Sequence, residues 1–484
     1  MLRGGMEPQN DHIKPRLEKR EKLIDMGIDP YGGRFDVSES IAAARGNAAP
    51  DRHVQLAGRV LSHRDMGKSL FADIKDSTAK IQVYVKKQDI SDEQFDLFKN
   101  YVDLGDIIGV TGKLFTTHAG ELTVKVESVT LLSKAIQPLP KEWYGLKDIE
   151  TRLRQRYLDL ILNDNVRETF VVRSRVVAEI RRFLDSRGFM EVETPMMQPI
   201  AGGAVAKPFR THHEALDIDL FLRVAPELYL KRLLVGGFER VYEINRNFRN
   251  EGISRRHNPE FTMLEVYQAY GDYETMMDLA QGLVVTVAES IMDSLLIKRH
   301  DGQEIDLTPP WRRVTYRELI EERIGKEWFT LTPEERKARA ITMGVEFPAD
   351  APDFEVTNAI FEKAIEPTLM NPTFVTHLPA ELVVLAKPNA NDPTVVDVFE
   401  LIINGQEIAP AYSELNDPVL QRVRLLMQAK GHEEKIDEDF LMALEHGMPP
   451  AGGMGMGIDR LVMMLTGVES IRDVILFPLL RPQT

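Results

Sequence analysis

Alternation of apolar and polar residues is densest between residues 54 and 132, where it breaks into five predicted strands: Val54–Ser62, Ser69–Lys75, Ala79–Val85, Asp106–Thr116 and Leu122–Leu132. Side chains two apart in a strand share a face, so each run can turn one face to a core and the other to solvent. A helix is predicted from Asp92 to Tyr101, between the third and fourth strands. Five strands with a helix at that place is the order of the OB-fold, a barrel able to bind single-stranded nucleic acid. Pro138-Leu139-Pro140 ends the pattern, and the charged stretch from Lys141 to Arg156 reads as a hinge. Further on, Phe238–Phe248 and Pro259–Ala269 read as strands joined by a polar loop, Asn250–Asn258. Asn404-Gly405 is a two-residue hairpin signal between Val395–Ile403 and Gln406–Ile408. From about 311 to 372 the alternation lapses. Thr332-Pro333-Glu334-Glu335 there offers a capping residue with proline at the first helical position, which predicts a helical insertion. The domain reading is a helical extension over 1–50, the barrel over 51–138, the hinge over 139–156 and a larger domain over 157–484. The fold class is α+β.

The strand Pro259–Ala269 places Phe261, Glu265 and Tyr267 on one face, a surface that can stack a base and grip a cation. Arg249 stands where the preceding loop begins. Near the end of the chain, Gly453-Met454-Gly455-Met456-Gly457 runs into Ile458-Asp459-Arg460. These singly alternating glycines lack the G-x-G-x-x-G spacing and the βαβ length of a dinucleotide fingerprint. They fit a backbone that closely approaches a ligand or another strand, then a helix with Arg460 in its first turn. Two arginines and an aromatic platform suit ATP held for attack at its α-phosphate, because guanidinium binds phosphate oxygens bidentately and stays charged. In the predicted hairpin, residue 402 pairs with 407 and 400 with 409. Glu400 and Glu407 then share a face at roughly 7–8 Å between Cα atoms, within joint reach of one ion. Either alone reads as a solvated strand face. Beside the arginines the pair reads as ligands of Mg²⁺, which completes its shell with waters and phosphate oxygens. Pro410 disturbs the strand parity beyond the hairpin, so spacing leaves the side of Glu414 undecided.

These residues are similar to the signatures of the class II aminoacyl-tRNA synthetases, and the chain resembles their bacterial lysyl branch over nearly its whole length. Gly188-Phe189-Met190-Glu191-Val192-Glu193-Thr194-Pro195 resembles the first signature, Phe248 to Glu251 through Phe261 the second, and Gly455 to Arg460 the third. The lysyl branch is indicated by Arg223 to Leu233, Glu260 to Tyr267 and Tyr412 to Asp417. The resemblance implies a catalytic domain built on an antiparallel sheet flanked by helices, and a homodimer formed through the first signature. Its substrates would be ATP and L-lysine, with tRNA(Lys) as acceptor. It places Arg249, Glu251, His257, Phe261 and Arg460 on ATP, and Glu227 with the Gly203 backbone on the lysine α-amino group. Glu414 and Tyr267 would take the ε-ammonium, with Glu265 and Tyr412 in the same pocket, and Arg249 the carboxylate and α-phosphate. The chemistry agrees, since a buried ammonium needs a paired carboxylate and a full set of hydrogen bonds. In the barrel it implies anticodon contacts, Phe71 stacking a base and Arg64, Gln82 and Glu121 hydrogen-bonding nearby. The pattern alone leaves Phe71 open to a place inside the barrel. Two departures stand out. Pro410 occupies a position where the family has asparagine against the substrate carboxylate, and proline offers neither an amide nor an N–H. Leu382-Val383-Val384-Leu385-Ala386-Lys387 replaces the family's Ser-Pro-Leu-Ala-Lys.

Composition narrows the remaining choices. The 484 residues suggest about three domains, and 43% hydrophobic and 28% charged residues are ordinary for soluble proteins. The lack of cysteine excludes disulfides, thiolate zinc and thiol chemistry, and His212-His213 reads as a loop pair rather than a metal site. No apolar run reaches the roughly 18 residues of a membrane span, and the start of the chain has no apolar signal core, so a cytoplasmic location is expected. A net charge of −15 argues against nucleic acid only until local charge is considered. Lys14, Arg16, Lys19, Arg20 and Lys22 crowd one predicted helix, with Ile13, Leu17 and Ile24 at helical spacing. That helix reads equally as a solvated face or a tRNA contact. The expected reaction is a two-step ligation. The lysine carboxylate attacks the α-phosphate and releases pyrophosphate, and the terminal adenosine hydroxyl of the tRNA then attacks the mixed anhydride. One rival is a paralogue that ligates an amino acid to a protein, and such paralogues typically lack an anticodon domain. Another is a catalytically inactive tRNA-binding regulator, against which the retained arginines and the acids Glu400, Glu407 and Glu414 speak.

Overall fold

A computed structural model describes residues 12–140, 147–204, 206–299, 301–429 and 436–482. The middle of the expected hinge, residues 141–146, lies outside the described residues. The chain divides into two compact units, Met1–Tyr144 and Gly145–Thr484.

In the first unit a closed barrel runs in the order β1 (His53–Asp65), β2 (Ser69–Lys75), β3 (Lys80–Lys86), β5 (Leu122–Ser133) and β4 (Ile107–Thr116), with β4 returning to β1. The period of two is strict in β2 and β3, where Leu70, Ala72, Ile74, Ile81, Val83 and Val85 are fully buried between half-exposed neighbours. The predicted helix between β3 and β4 starts at Asp92 under a Ser91 cap and widens into one π turn over Leu97–Tyr101. Helix α1 (Lys14–Asp25) forms, but not with the expected apolar face. Leu17 and Ile24 are 40% and 44% exposed, and Leu23 enters the barrel core instead. The reason is that cations share the inward face. Arg16, Lys19 and Leu23 recur at helical spacing; Arg16 donates to the Leu104 and Ala135 carbonyls at 2.9 and 2.8 Å, and Lys19 pairs with Asp103 at 2.7 Å. Part of the basic cluster is thus spent on docking the helix.

The second unit is built on β6 (Met190–Glu191), β7 (Arg240–Phe248), β8 (Glu260–Ala269), β9 (Arg312–Thr315), β10 (Thr373–Thr376), β11 (Val398–Ile403), β12 (Gln406–Ser413) and β13 (Ala451–Gly457). They lie in the order β9-β10-β11-β12-β13-β8-β7-β6. The six central strands are antiparallel, whereas β9–β10 and β6–β7 are parallel, so the sheet is mixed rather than purely antiparallel. Parallel neighbours need a crossover. Helical segments between residues 316 and 368 supply it at one edge, and the stretch expected to be helical from 311 therefore opens with strand β9. Helices α2 (Asp164–Asp185), α4 (Tyr273–Met292) and α5 (Ile458–Thr466) contribute Ile180, Leu283 and Val462 to one core with Leu264, Val266 and Met454 of the sheet. Full burial of each such side chain is worth about 1.5–3 kcal/mol relative to exposure. Because the strand period is two, sending Leu264 and Val266 into that core turns Glu265 and Tyr267 to the opposite face.

Candidate active site

That opposite face is carried by β12, β13 and β8 side by side. In register, Tyr412 and Tyr267 flank Gly453, and Glu265 lies beside Gly455. A Cβ at residue 453 would stand 2.0 Å from Glu414 Oε1 and 2.5 Å from the Tyr267 ring, so acid and phenol fit here only because 453 is glycine. The glycine run is a strand floor, as its spacing suggested, and α5 follows it with Arg460 in the first turn. Asp459 fastens that turn to β8, accepting from the Thr262 N–H at 2.7 Å and from Arg173 at 2.5 Å.

Arg249, Glu251, His257, Phe261 and Arg460 line one cavity of about 190 Å³ together with Glu407. The Arg249 N–H is fixed by the Pro259 carbonyl at 2.9 Å, and its guanidinium lies 5.1 Å from the Phe261 ring centroid. Among the described residues Arg249 Nε is buried without a hydrogen-bond partner. Arg460 donates to the Glu407 carbonyl at 2.7 Å. His257 meets the Ser254 hydroxyl at 2.9 Å, and burial, then Arg460, then Arg256 and Arg249, hold its imidazole below the ordinary range. Arg256 lines the same cavity and was not foreseen. The available signal was a further cation inside a loop already read as gripping phosphate.

The hairpin turns at Asn404 and Gly405, both at positive φ, and pairs Ile402 with Glu407 as expected. Ile408 is an extra residue in the ladder, however, so Glu400 faces Pro410 and not Ala409. Glu400 and Glu407 still feel one another. Burial, then Glu407, Glu366 and Glu362, hold the Glu400 carboxyl well above the usual carboxylate range. Glu366 accepts from the Glu407 N–H at 3.2 Å and is likewise raised, by burial and by Glu407. Among the described residues no three His, Cys, Asp or Glu side chains converge as a ready metal cage. Two carboxylates, one of them lining the arginine-bearing cavity, are the oxygen donors that Mg²⁺ takes when waters and a polyphosphate supply the rest of its shell. His212 sits in an exposed strand, Arg210–His213, rather than a loop, and contacts Asp219 at 3.0 Å.

The remaining acids gather at the other end of the floor. Gly203, at φ +88°, lies so close to Glu227 that a Cβ there would stand 3.1 Å from the Glu227 Cβ. Glu227 opens helix α3 (Glu227–Val235), and Glu414, whose side spacing could not decide, turns toward Tyr267 and Gly453. Burial, then Glu227 and Glu243, push Glu265 up to about 8; Tyr267 donates to it at 3.3 Å. Burial pushes Glu414 up to about 7, with Lys231 opposing. Tyr267 and Tyr412 are kept as phenols by burial and by these acids. The altered segment at 382–387 borders this end directly, since the Lys387 N–H reaches the Ser413 carbonyl at 2.8 Å and the Leu415 N–H the Leu385 carbonyl at 3.0 Å. Lys231 was missed. Its Nζ lies 2.6 Å from Glu227 and 2.5 Å from Glu414, and Glu-x-x-x-Lys at i,i+4 in a mostly apolar helix was the signal.

On the barrel, Arg64, Phe71 and Tyr84 are consecutive partners across β1, β2 and β3. Phe71 points outward rather than into the barrel, stacks on Tyr84 at 4.8 Å and 27°, and has the Arg64 guanidinium 5.9 Å from its centroid. Gln82 accepts from the Thr123 hydroxyl at 3.0 Å, and Glu121 lies 3.6 Å from Arg45. Tyr84 and Phe115, 6.0 Å apart, extend the aromatic surface beyond the residue foreseen.

Comparison with known proteins matches residues 54–132 to the OB-fold nucleic acid binding domain and residues 148–481 to the tRNA synthetases class II (D, K and N). A lysine–tRNA ligase of Carboxydothermus hydrogenoformans is 53% identical over 98% of this chain and 99% of its own length. One of Pelotomaculum thermopropionicum is 52% identical over 99% and 97%. One of Staphylococcus haemolyticus is 47% identical over 98% and 99%. The two arginines, the glycine floor and the outward aromatic barrel face therefore sit in a chain that belongs to the class II tRNA synthetases.

Proposed function

We propose that this chain is a lysine–tRNA ligase, activating L-lysine with ATP and passing it to the 3′-terminal adenosine of tRNA(Lys). One observation carries the reading: a cavity lined by Arg249 and Arg460 adjoins, on the same strands, a buried cluster of Glu414, Tyr267 and Glu227. Arg249 holds the lysine carboxylate against the α-phosphate, Phe261 stacks the adenine, Glu251 orients it, and Arg460 with His257 grips the pyrophosphate end. Charge growing on phosphate oxygens is met by fixed cations, so positioning and electrostatics suffice and no covalent enzyme intermediate is needed. Mg²⁺, when bound by Glu400 and Glu407, supplies charge neutralisation of the polyphosphate. Glu227 and the Gly203 backbone take the α-amino group, and Glu265 and Tyr412 complete the lysine site. Arg64, Phe71, Gln82 and Glu121 read the anticodon. The domain limits are 1–50, 51–138, 139–156 and 157–484. Exposed Met190 within the first signature, with exposed Met196 and Met197 just beyond it, supports a homodimer. Among the described residues no helix is long and apolar enough to cross a membrane, and we place the enzyme in the cytoplasm. ATP–pyrophosphate exchange with each of the twenty amino acids, followed by charging of tRNA, tests the reading. Lysine alone should support both. Exchange with a different amino acid would overturn the specificity, and tRNA binding without charging would favour a regulator.

A further inference from the structure

The amino-acid end contains one cation that the substrate contacts do not use. Lys231 is fully buried, and its ammonium bridges Glu227 Oε1 at 2.6 Å and Glu414 Oε2 at 2.5 Å. The two acids come from opposite sides of the pocket, one from the start of α3 and one from the end of β12. Each also stands in space that a glycine leaves open, since a Cβ at residue 203 would lie 3.1 Å from the Glu227 Cβ and one at residue 453 would lie 2.0 Å from Glu414 Oε1. Among the described residues both Glu414 carboxylate oxygens are buried without a hydrogen-bond partner, and of the two it is Oε2 that has the ion pair with Lys231, so Oε1 is left to a ligand.

We propose that Lys231 is a positioning residue that sets the distance between the two ammonium subsites and so selects the length of the substrate side chain. This rests on the reading of the site as lysine-activating. Two carboxylates in a low-dielectric pocket either repel one another or close around a shared cation. A cation built into the fold is that shared cation: it takes one oxygen from each acid, fixes their separation against repulsion, and leaves the second oxygen of each for the substrate. The α-amino group and the terminal ammonium then meet acceptors at fixed separation. An amino acid one methylene shorter leaves Glu414 Oε1 buried and unpaired, which is the condition under which a polar site discriminates strongly. Without Lys231 the acids are free to follow the ligand, and shorter cations become tolerable.

The test uses the full chain carrying Lys231→Met or Lys231→Arg, ATP–pyrophosphate exchange with lysine and with ornithine, and protection by ATP against heat. For Lys231→Met we expect the lysine KM to rise about a hundredfold. The lysine-to-ornithine ratio of kcat/KM should fall about tenfold or more, while ATP protection stays within about threefold of the parent. Lys231→Arg, which keeps the charge but displaces it, should recover part of the KM and leave the ratio low. A raised lysine KM with the parent ratio would overturn the proposal, as would parent values of both. Failure of both variants to bind ATP would assign Lys231 to the fold and overturn it too. Parent enzyme that exchanges pyrophosphate with no lysine dependence would instead remove the underlying reading, and is seen without any variant.

Discussion

At the nucleotide end, Arg249, Arg256 and Arg460 enter the cavity from a loop and a helix start, partly open to solvent, and guanidinium keeps its charge at every working pH. At the amino-acid end, Glu227, Glu265 and Glu414 are buried, Lys231 bridges Glu227 and Glu414, and burial raises both Glu265 and Glu414, with neighbouring acids adding to the rise at Glu265. The same strands thus hold a site whose cations act almost independently and a site whose members set one another's state. The contrast suits the ligands. A triphosphate brings its own large charge and needs fixed counter-charges, whereas a small ammonium is recognised by geometry in a pocket that excludes water.

Arg249→Ala gives the sharpest test at the first end. By analogy with removal of one oxyanion donor, lysine-dependent pyrophosphate exchange should fall by about a hundredfold or more. The loss should appear in kcat and also in the lysine KM, because the guanidinium both meets charge that grows in the transition state and holds the substrate carboxylate. Exchange at the parent rate would break the assignment. Gly453→Ala is the counterpart at the other end. A methyl group placed 2.0 Å from Glu414 Oε1 and 2.5 Å from Tyr267 cannot be absorbed without moving the acid or the ring. Overpacking of this kind costs about 1–3 kcal/mol, so the lysine KM should rise roughly tenfold to a hundredfold. The ATP KM should not change, and a matching rise in both would show that the two ends are not separable.

The two ends also differed in how far the sequence disclosed them. Arg249, Glu251, His257 and Phe261 lie within one strand–loop–strand segment, so local spacing and residue type were enough to bring them together. Glu400 shows where that method fails: the turn was read correctly at Asn404-Gly405, yet the bulge at Ile408 shifted its partner from Ala409 to Pro410. A bulge is decided by packing across the sheet, which no local pattern encodes. Lys231 failed for a different reason. Its importance lies in a contact with Glu414, far away in the chain, and an i,i+4 pair such as that with Glu227 is by itself ordinary helix support. In α1 the basic residues were seen, but not that Arg16 and Lys19 face inward in place of Leu17 and Ile24. The barrel was the most legible part, since strict alternation around Leu70, Ala72 and Ile74 fixes both strand and face.

Titration separates the ends again. Glu265 and Glu414 are raised, to about 8 and about 7, so both are partly protonated near neutrality. A substrate ammonium binds their ionised forms, and binding must therefore release protons. Lysine affinity should rise with pH between 6.5 and 8, by up to about tenfold per unit for each proton released, and should level off above the higher value. His257 is shifted below its ordinary range and is already neutral there, so ATP affinity should stay nearly flat between pH 7 and 8. Calorimetry of lysine binding in buffers of different ionisation heat would measure the proton count directly, and a count of zero would contradict the coupled pocket.

The smallest expected effect concerns Arg256, and it distinguishes the ends by screening. Its side chain is solvent-exposed where it lines the nucleotide cavity. An exposed cation contributes through a high-dielectric path, so Arg256→Met should raise the ATP KM only about fivefold at low salt. The Debye length shrinks from about 10 Å at 0.1 M to about 3 Å at 1 M, and that difference should fade as salt is added. Lys231 is fully buried against its two acids, and screening by mobile ions hardly reaches it. The lysine-to-ornithine ratio of the parent should therefore stay constant over the same salt range in which the Arg256→Met defect disappears. If the ratio fell with salt in step with ATP affinity, the two ends would share one screened field, and their separation into fixed cations and a coupled pocket would not hold.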